Sequence, residues 1–453
     1  MRIKRIWLFA LLLSFTSLPI YAVDCTWAIR AGGEGNDKIR GIAADVDGSV
    51  FVTGEITANT DFGSFQLSCA GSLDFVVAKI DPDGHVLWAT VAGGEGIDRG
   101  YAVSPDGDGG CFVTGHFQSE AIQFGATKLV TAGDYDGFAA RIDARGNFVW
   151  AIRFGGEGYD FGHGIATSSD GSFVLSATVA DAGDFGSQAV GIEKGRSAVL
   201  AKLGKEGGVK WVRTASGPSI SGHCVAAGPD GSIYLGGFSR GQIEWSDSVS
   251  TESVVQDICV AKYDSTGTFQ WVKTGGGESD GVVTAVAVDP TSGNVCIAGM
   301  YKAKAAFGSD VHVSQGGHDF YAAVLSPEGT FLGAQFGGGT GTDYGLGATA
   351  LPRGGFAITG EISGNVEVAG KEYQSAGERD IYVATIGPEG KAVTSLILAG
   401  GIDNDLGYAI TATPDDSVVV SGAFRSETKL GEFAMKAKKG NDIFVAKFRL
   451  AIP

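Results

Sequence analysis

Seven positions at intervals of 60 to 62 residues hold Arg40, Tyr101, His163, His223, Thr284, Leu346 and Tyr408. Arginine, tyrosine and histidine are the residue types that bind charged and polar ligands. His163 and His223 are the pair here whose ordinary pKa lies near neutrality, where acid–base work is possible. Just before it, and three residues earlier in the regular copies, the chain repeats an acidic residue: Asp37, Asp98, Asp160, Asp280, Asp343 and Asp405, with Ser221 in the fourth copy. A ring of carboxylates is one way to hold a cation such as calcium. Short carboxylates also cap Gly-rich turns through backbone N–H groups, and recurrence once per copy favours that role. Asp45-Val46-Asp47-Gly48 lacks the remaining ligand positions of a calcium loop. The expectation is therefore no metal and no cofactor, with calcium as the alternative.

These residues are positioned by a repeat. Trp27, Trp88, Trp150, Trp211 and Trp271 are 61, 62, 61 and 60 residues apart, and the frame continues through Leu332 and Thr394. In the first copy four apolar runs, Gly41–Asp45, Ser49–Glu55, Asp74–Ile80 and His85–Val91, are bounded by turn residues, which is strand punctuation. Asp47-Gly48 and Asp83-Gly84 suit tight hairpins, because glycine accepts positive φ without steric cost. No window carries sustained helical periodicity, and 73 of 453 residues are glycine, which would interrupt helices throughout.

Four antiparallel strands repeated about every 60 residues predict an all-β, seven-bladed β-propeller. The last copy has no room for a fourth strand: Asp74 precedes Trp88 by 14 residues, whereas only 11 follow Asp442. A surplus strand, Cys25–Arg30 with Trp27 in frame, stands at the other end. The N-terminal strand is thus expected to complete blade seven and close the ring, removing an open edge. Blades are expected at about 31–91, 92–153, 154–214, 215–274, 275–335, 336–397, and 398–450 plus 23–30, forming one domain over 23–453.

Residues 1–22 read as a secretory signal: Arg2, Lys4 and Arg5, then apolar Ile6–Phe15, then a cleavage region ending at Ala22. The product is expected to be secreted or periplasmic, monomeric and without a membrane span. The formal charge of −17 becomes −20 without those three basic residues, which argues against nucleic acid and anionic membranes as partners. Six cysteines in an exported chain permit disulfides, with Cys25 and Cys69 the first pair to test; burial as small apolar thiols is the favoured reading.

The unit resembles the bacterial SBBP β-propeller repeat in three stretches of the first copy: Ile42–Gly54, Asp61-Phe62-Gly63 and Asp74–Trp88. Asp257–Trp271 repeats the last of these. That resemblance implies an extracytoplasmic propeller and no common activity. Asp143–Trp150 and Asp264–Trp271 are also similar to the tryptophan-docking stretch of quinoprotein propellers, whose period is shorter; the tryptophan is read here as a blade-packing residue.

Both hairpin corners fall on one face, so the opposite face carries the Gly-rich corners and the long connections between strands two and three, such as Ile56–Leu73. Long connections on a rigid scaffold favour binding. The expectation is a binding or interaction module for a glycan, peptide or protein on that face, through Arg40, Tyr101, His163, His223 and Tyr408. The segment Ala182–Arg196 is a second candidate. The alternative is a hydrolase or lyase using His163 or His223 with Tyr101 or Tyr408. Lys79, Arg141, Lys202, Lys262 and Lys447 recur on strand three and are expected to pair with nearby structural carboxylates.

Overall fold

The computed structural model describes residues 24–277 and 280–450, without the side chains at 192, 193, 276 and 277. The signal assigned to 1–22 lies outside the described residues. Everything described is strand, turn or bend, and no helix among the described residues is long and apolar enough to cross a membrane.

The strands form antiparallel sets of four. In the first, Lys38–Ala44, Val50–Ile56, Asp74–Ile80 and Val86–Ala92 pair in that order. The same order recurs from Asp98–Pro105 to Phe148–Gly156, from Phe161–Thr167 to Val209–Gly217, and from Ser219–Ala227 to Phe269–Gly277. It recurs again from Gly281–Val288 to Phe331–Gly339 and from Tyr344–Ala350 to Val393–Gly401. In the last set Asp405–Ala412, Ser417–Leu430 and Phe433–Arg449 are followed by Asp24–Gly33, which pairs with Phe433–Arg449 from Asp24 opposite Arg449 to Ala31 opposite Ile443.

The first strand of each set contacts the first strand of the next, and Asp405–Ala412 also contacts Lys38–Ala44. Stacked four-stranded sheets sharing an inner layer of strands make a β-propeller. The core lies between neighbouring sheets: Phe51, Phe75 and Val77 pack with Val113, Phe138 and Ala140 of the next set. Middle strands are covered on both faces, so Val50–Ile56 and Asp74–Ile80 are buried at every residue. This explains why those runs are mostly apolar and show no apolar–polar alternation.

Each tryptophan of the ruler lies on a corner of the following set. A Cβ at Gly84, Gly146, Gly207, Gly267 or Gly329 would meet Trp27, Trp88, Trp150, Trp211 or Trp271 at 2.9–3.1 Å, and all five glycines have φ between 80° and 91°. Glycine is required there twice over, for the positive φ and for the flat contact with the indole. Thr394 holds the tryptophan frame in the set before the last, and the last set has no corner between its third and fourth strands.

The connections between strands two and three depart from the sequence reading. Ile56–Leu73 is no irregular loop: Thr60–Phe62 and Phe65–Leu67 form a hairpin whose first strand pairs with Asp24–Gly33 of the neighbouring set. Around Ala182–Arg196 the two strands simply run on, as Phe173–Phe185 and Gln188–Leu203, and the end of the first pairs with Phe148–Gly156. These connections fold outward onto the preceding sheet and leave the axis clear.

All six cysteines are free thiols. The proposed pairing of Cys25 with Cys69 is corrected by geometry. Cys25 sits opposite Phe448 at the corner end of its strand, while the Cys69 thiol reaches the Ile56 carbonyl at the far end of the neighbouring sheet.

Candidate functional site

The inner strands begin earlier than the sequence reading placed them, because pairing continues past a bulge. Register slips between Ile39 and Gly41, Gly100 and Ala102, Gly162 and Gly164, and Gly222 and Cys224. It slips likewise between Val283 and Ala285, Gly345 and Gly347, and Gly407 and Ala409. The residue skipped each time is Arg40, Tyr101, His163, His223, Thr284, Leu346 or Tyr408. These residues stand within the strands, not before them, and a bulge re-aims the extra side chain. All seven line one cavity of about 180 Å³. Gly41 permits this crowding, since a Cβ there would lie 2.6 Å from the Tyr101 carbonyl of the next inner strand.

Five consecutive members form a polar and aromatic arc. Arg40 grips Glu55 with both ends of its fork, Nε to Oε2 at 2.5 Å and Nη2 to Oε1 at 2.7 Å. Its guanidinium carbon lies 5.6 Å from the Tyr101 ring centre and 5.7 Å from that of Tyr408. Tyr101 continues to His163 at 5.8 Å, and His163 to His223 at 5.0 Å. The other two members are quiet: Thr284 donates to backbone carbonyls of Ala298 and Gly345, and Leu346 is apolar.

The histidines do not behave as the sequence reading expects. Burial holds the His163 imidazole well below its ordinary pKa, helped by His223, and lowers His223 to about 4. Both are neutral at pH 7. His163 Nε2 meets the Thr178 hydroxyl at 3.1 Å, and Thr178 meets Ser221 at 2.7 Å, so among the described residues a hydroxyl pair and not a carboxylate holds the ring. Burial also pushes the Tyr408 phenol up to about 12. The arc offers hydrogen bonds, aromatic faces and a guanidinium rather than an acid–base pair matched to neutral pH.

Sequence reasoning missed the layer behind the arc. Glu55, His116 and Glu361 sit at one equivalent position, opposite Lys38, Arg99 and Tyr344. Glu361 pairs with Arg379, whose guanidinium lies 5.4 Å from the Tyr344 ring centre. His116 is 1% exposed, and neither ring nitrogen has a hydrogen-bond partner among the described residues. Burial lowers it to about 3, with Arg99 and Arg40 adding to the effect. The signal was present in the repeat: Thr53-Gly54-Glu55, Thr114-Gly115-His116 and Thr359-Gly360-Glu361 each put a titratable residue one before the end of a buried run.

The corner aspartates cap turns. Asp37 accepts from Gly33 N, Thr57 N and Thr60 Oγ1; Asp98 from Gly94 N and Ser119 Oγ; Asp160 from Gly156 N and Ala180 N. Asp343 accepts from Gly339 N and Ser363 N, and Asp405 from Gly401 N. Two assignments slip by one residue. Register places Gly281, not Asp280, and Ile220, not Ser221, at this position. Asp280 is exposed, and its backbone carbonyl accepts from Lys302 N. No group of three or more metal-ligating side chains occurs among the described residues.

The strand-three cations serve the opposite face. Lys79 lies 3.4 Å from Asp45, Arg141 2.9 Å from Asp106, Lys202 3.3 Å from Asp170 and Lys447 2.8 Å from Asp415. Lys262 takes the Pro327 carbonyl at 2.9 Å instead.

No family model matches the chain. It is 26% identical over 386 residues to the regulatory protein FlaEY of Caulobacter vibrioides, covering 77% of this chain and 39% of that protein. It is 24% identical over 153 residues to an uncharacterized WD repeat-containing protein of Acanthamoeba polyphaga mimivirus, covering 30% of this chain and 11% of that one. The chain thus spans well under half the length of either relative. Among solved structures it is similar to Sqt1 from Chaetomium thermophilum, with TM-score 0.45, 12% identity, and 95% of this chain and 100% of that one covered. The Dos1 propeller gives 0.44, 9%, 95% and 98%. The quinohemoprotein alcohol dehydrogenase of Comamonas testosteroni gives 0.43, 12%, 95% and 78%. The propeller class is carried by the strand order described above, not by these likenesses.

Proposed function

We propose that the chain is an exported, seven-bladed propeller of SBBP-type repeats, closed by its N-terminal strand. In this reading it acts as a monomeric binding module for a glycan, peptide or protein. One observation carries the reading: the bulged residue of every inner strand lines the same cavity, and five of them present cation, phenol and imidazole groups. A repeat that keeps its frame while varying one near-axial position is a ligand surface in form. Closure is supported by the in-register pairing of Asp24–Gly33 with Phe433–Arg449. In this reading the binding region lies at the axis, and the outward fold of the hairpins between strands two and three supports that position over the long connections.

The test is a glycan and peptide array probed with purified protein, followed by Arg40→Ala and by His163→Ala with His223→Ala on any hit. Loss of the hit with retained folding supports the reading. A hit indifferent to all three changes removes the mouth from consideration.

A further inference from the structure

The cavity lined by the bulged residues does not end the channel. Two residues past each bulge come Ile42, Val103, Ile165, Val225, Val286 and Ile410, with Ala348 in the sixth set, and all seven also line a second cavity of about 640 Å³. The two cavities therefore adjoin. The larger one continues toward the corners as far as Val46, Pro290, Pro352 and Pro414. Val46 is 90% exposed, so this chamber opens to solvent on the corner face.

The chamber is apolar in effect, because its polar groups are spent within the fold. The Ser104 and Thr167 hydroxyls bond each other at 2.8 Å, Thr411 accepts from Ala44 N, and Thr349 accepts from Ala412 N. Thr413 donates to Asp415, and Asp45 lies 3.4 Å from the Lys79 ammonium. Water entering here finds few partners. The end formed by the bulged residues differs. Its lining residues carry no net charge: Arg40 is matched by Glu55, burial keeps His163 and His223 neutral at pH 7, and burial keeps the Tyr408 phenol protonated. Among the described residues the Tyr101 and Tyr408 hydroxyls and the His223 ring nitrogens make no hydrogen bond within the protein. Unlike the sealed nitrogens of His116, these atoms stay accessible. Phenols and neutral imidazoles both donate and accept. At about 180 Å³ this end has the room of one six-membered ring, since a cavity of about 150 Å³ holds benzene.

We infer that the channel binds a neutral sugar bearing an apolar tail, as in an alkyl glycoside or the end of a glycolipid. One hexose sits among Arg40, Tyr101, His223 and Tyr408, and the tail lies in the aliphatic chamber toward the corners. This rests on the binding reading above and narrows it. Sugar hydroxyls use the unmet phenol and imidazole groups, and the apolar faces of the sugar lie on the rings. An enclosed apolar volume with a few polar groups at one end is the usual form of a small-molecule site. Charged head groups are disfavoured: an anion has to displace Glu55 from Arg40 within a chain of formal charge −17, and a cation meets the guanidinium itself.

The experiment is calorimetric titration of the purified protein, free in solution, with methyl, hexyl, heptyl and octyl glucoside below their micelle concentrations, and with octanoate and octyltrimethylammonium. Expected is affinity for the glucosides that rises roughly threefold to fourfold per added methylene, the transfer free energy of a buried CH₂, with neither charged amphiphile bound. Tyr408→Phe and His223→Ala should each weaken octyl glucoside roughly threefold to tenfold, the scale of a lost hydrogen bond. Val286→Thr with Val288→Thr, which keeps side-chain shape, should reduce the gain per methylene; melting curves confirm that each variant folds. Equal binding of octanoate or octyltrimethylammonium, affinity independent of tail length, no glucoside binding, or octyl glucoside binding indifferent to both ring variants overturns the inference. If methyl glucoside or an array hit depends on Arg40 or the histidine pair while tail length changes nothing, only this inference falls. If no ligand depends on them, the binding reading falls with it.

Discussion

The indole of Trp27 lies flat against Gly84 and donates its N–H to the Pro82 carbonyl at 2.9 Å. The strand from the chain's start is thereby locked onto the corner of the sheet that follows it in space. Trp27→Ala is expected to cost about 3 kcal/mol, the scale of a large aromatic removed from a core. Deleting 23–30 should cost more and promote association, since Phe433–Arg449 would lose its partner and expose an edge. Denaturant melts with light scattering check both; a monomeric deletion variant of unchanged stability would sink the closure.

Glu55→Gln should be more harmful than its size suggests. It leaves the Arg40 guanidinium, wedged between Tyr101 and Tyr408, without its counter-charge. Breaking a largely buried pair from one side is expected to cost about 2–4 kcal/mol. The double variant Glu55→Gln with Arg40→Met should recover part of that loss in a double-mutant cycle.

Buried carboxyls and buried histidines should pull stability in opposite directions as pH changes. Burial raises the seam carboxyls: Asp160 to about 6, and Asp319 and Asp405 to about 7. A raised folded pKa means a contribution fully present below the unfolded value near 3.8 and lost as pH rises through the folded one, so these carboxyls should lower stability between about pH 4 and 7. The buried histidines act oppositely. Their folded values are depressed, so their contribution is present above about 6.5 and lost as pH falls toward 4. The two contributions oppose each other between about pH 4 and 6.5, and the histidine one sets the acid limb of melting temperature against pH. His163→Ala with His223→Ala should shift the acid limb downward, at a cost of about 1–2 kcal/mol for lost packing and the Thr178 hydrogen bond. An acid limb unmoved by that change would contradict the assignment.

Calcium and chelator should leave the melting temperature unchanged. The corner aspartates spend their oxygens on N–H and hydroxyl groups of their own turns. A ligand that bound the native state selectively would raise the transition. A calcium-dependent rise would overturn the capping role.

Much of the scaffold was legible because it is set by local chemistry repeated in phase. Asp-Gly corners, continuous apolar runs and the tryptophan interval located the strands within a few residues. The aspartate caps were legible for the same reason. What escaped depends on partner strands. A bulge at Arg40 is invisible until Lys38 is seen opposite Glu55. The one-residue slips at Asp280 and Ser221 follow from that, since counting from a corner does not reveal where a ladder skips. The outward fold of Thr60–Leu67 needed the edge of a strand far away in sequence, Asp24–Gly33, to pair with. Low histidine pKa values could not be read from residue type, because burial sets them.

Asp24 and Arg449 face each other across the final strand pair, with Ser417 of the adjacent corner beside Arg449, and their side chains meet at 3.1 Å. Both strand ends therefore open on the corner side, opposite the ring of Arg40 and Tyr101. A tag, resin or fusion joined at either end would hold the molecule from behind, with its cavity turned outward like a dish on a stalk. Tethering beside Asp24 or beside Arg449 should thus leave the cavity lined by Arg40 and Tyr101 equally open, and a surface-coupled test of the proposed binding can use either tether.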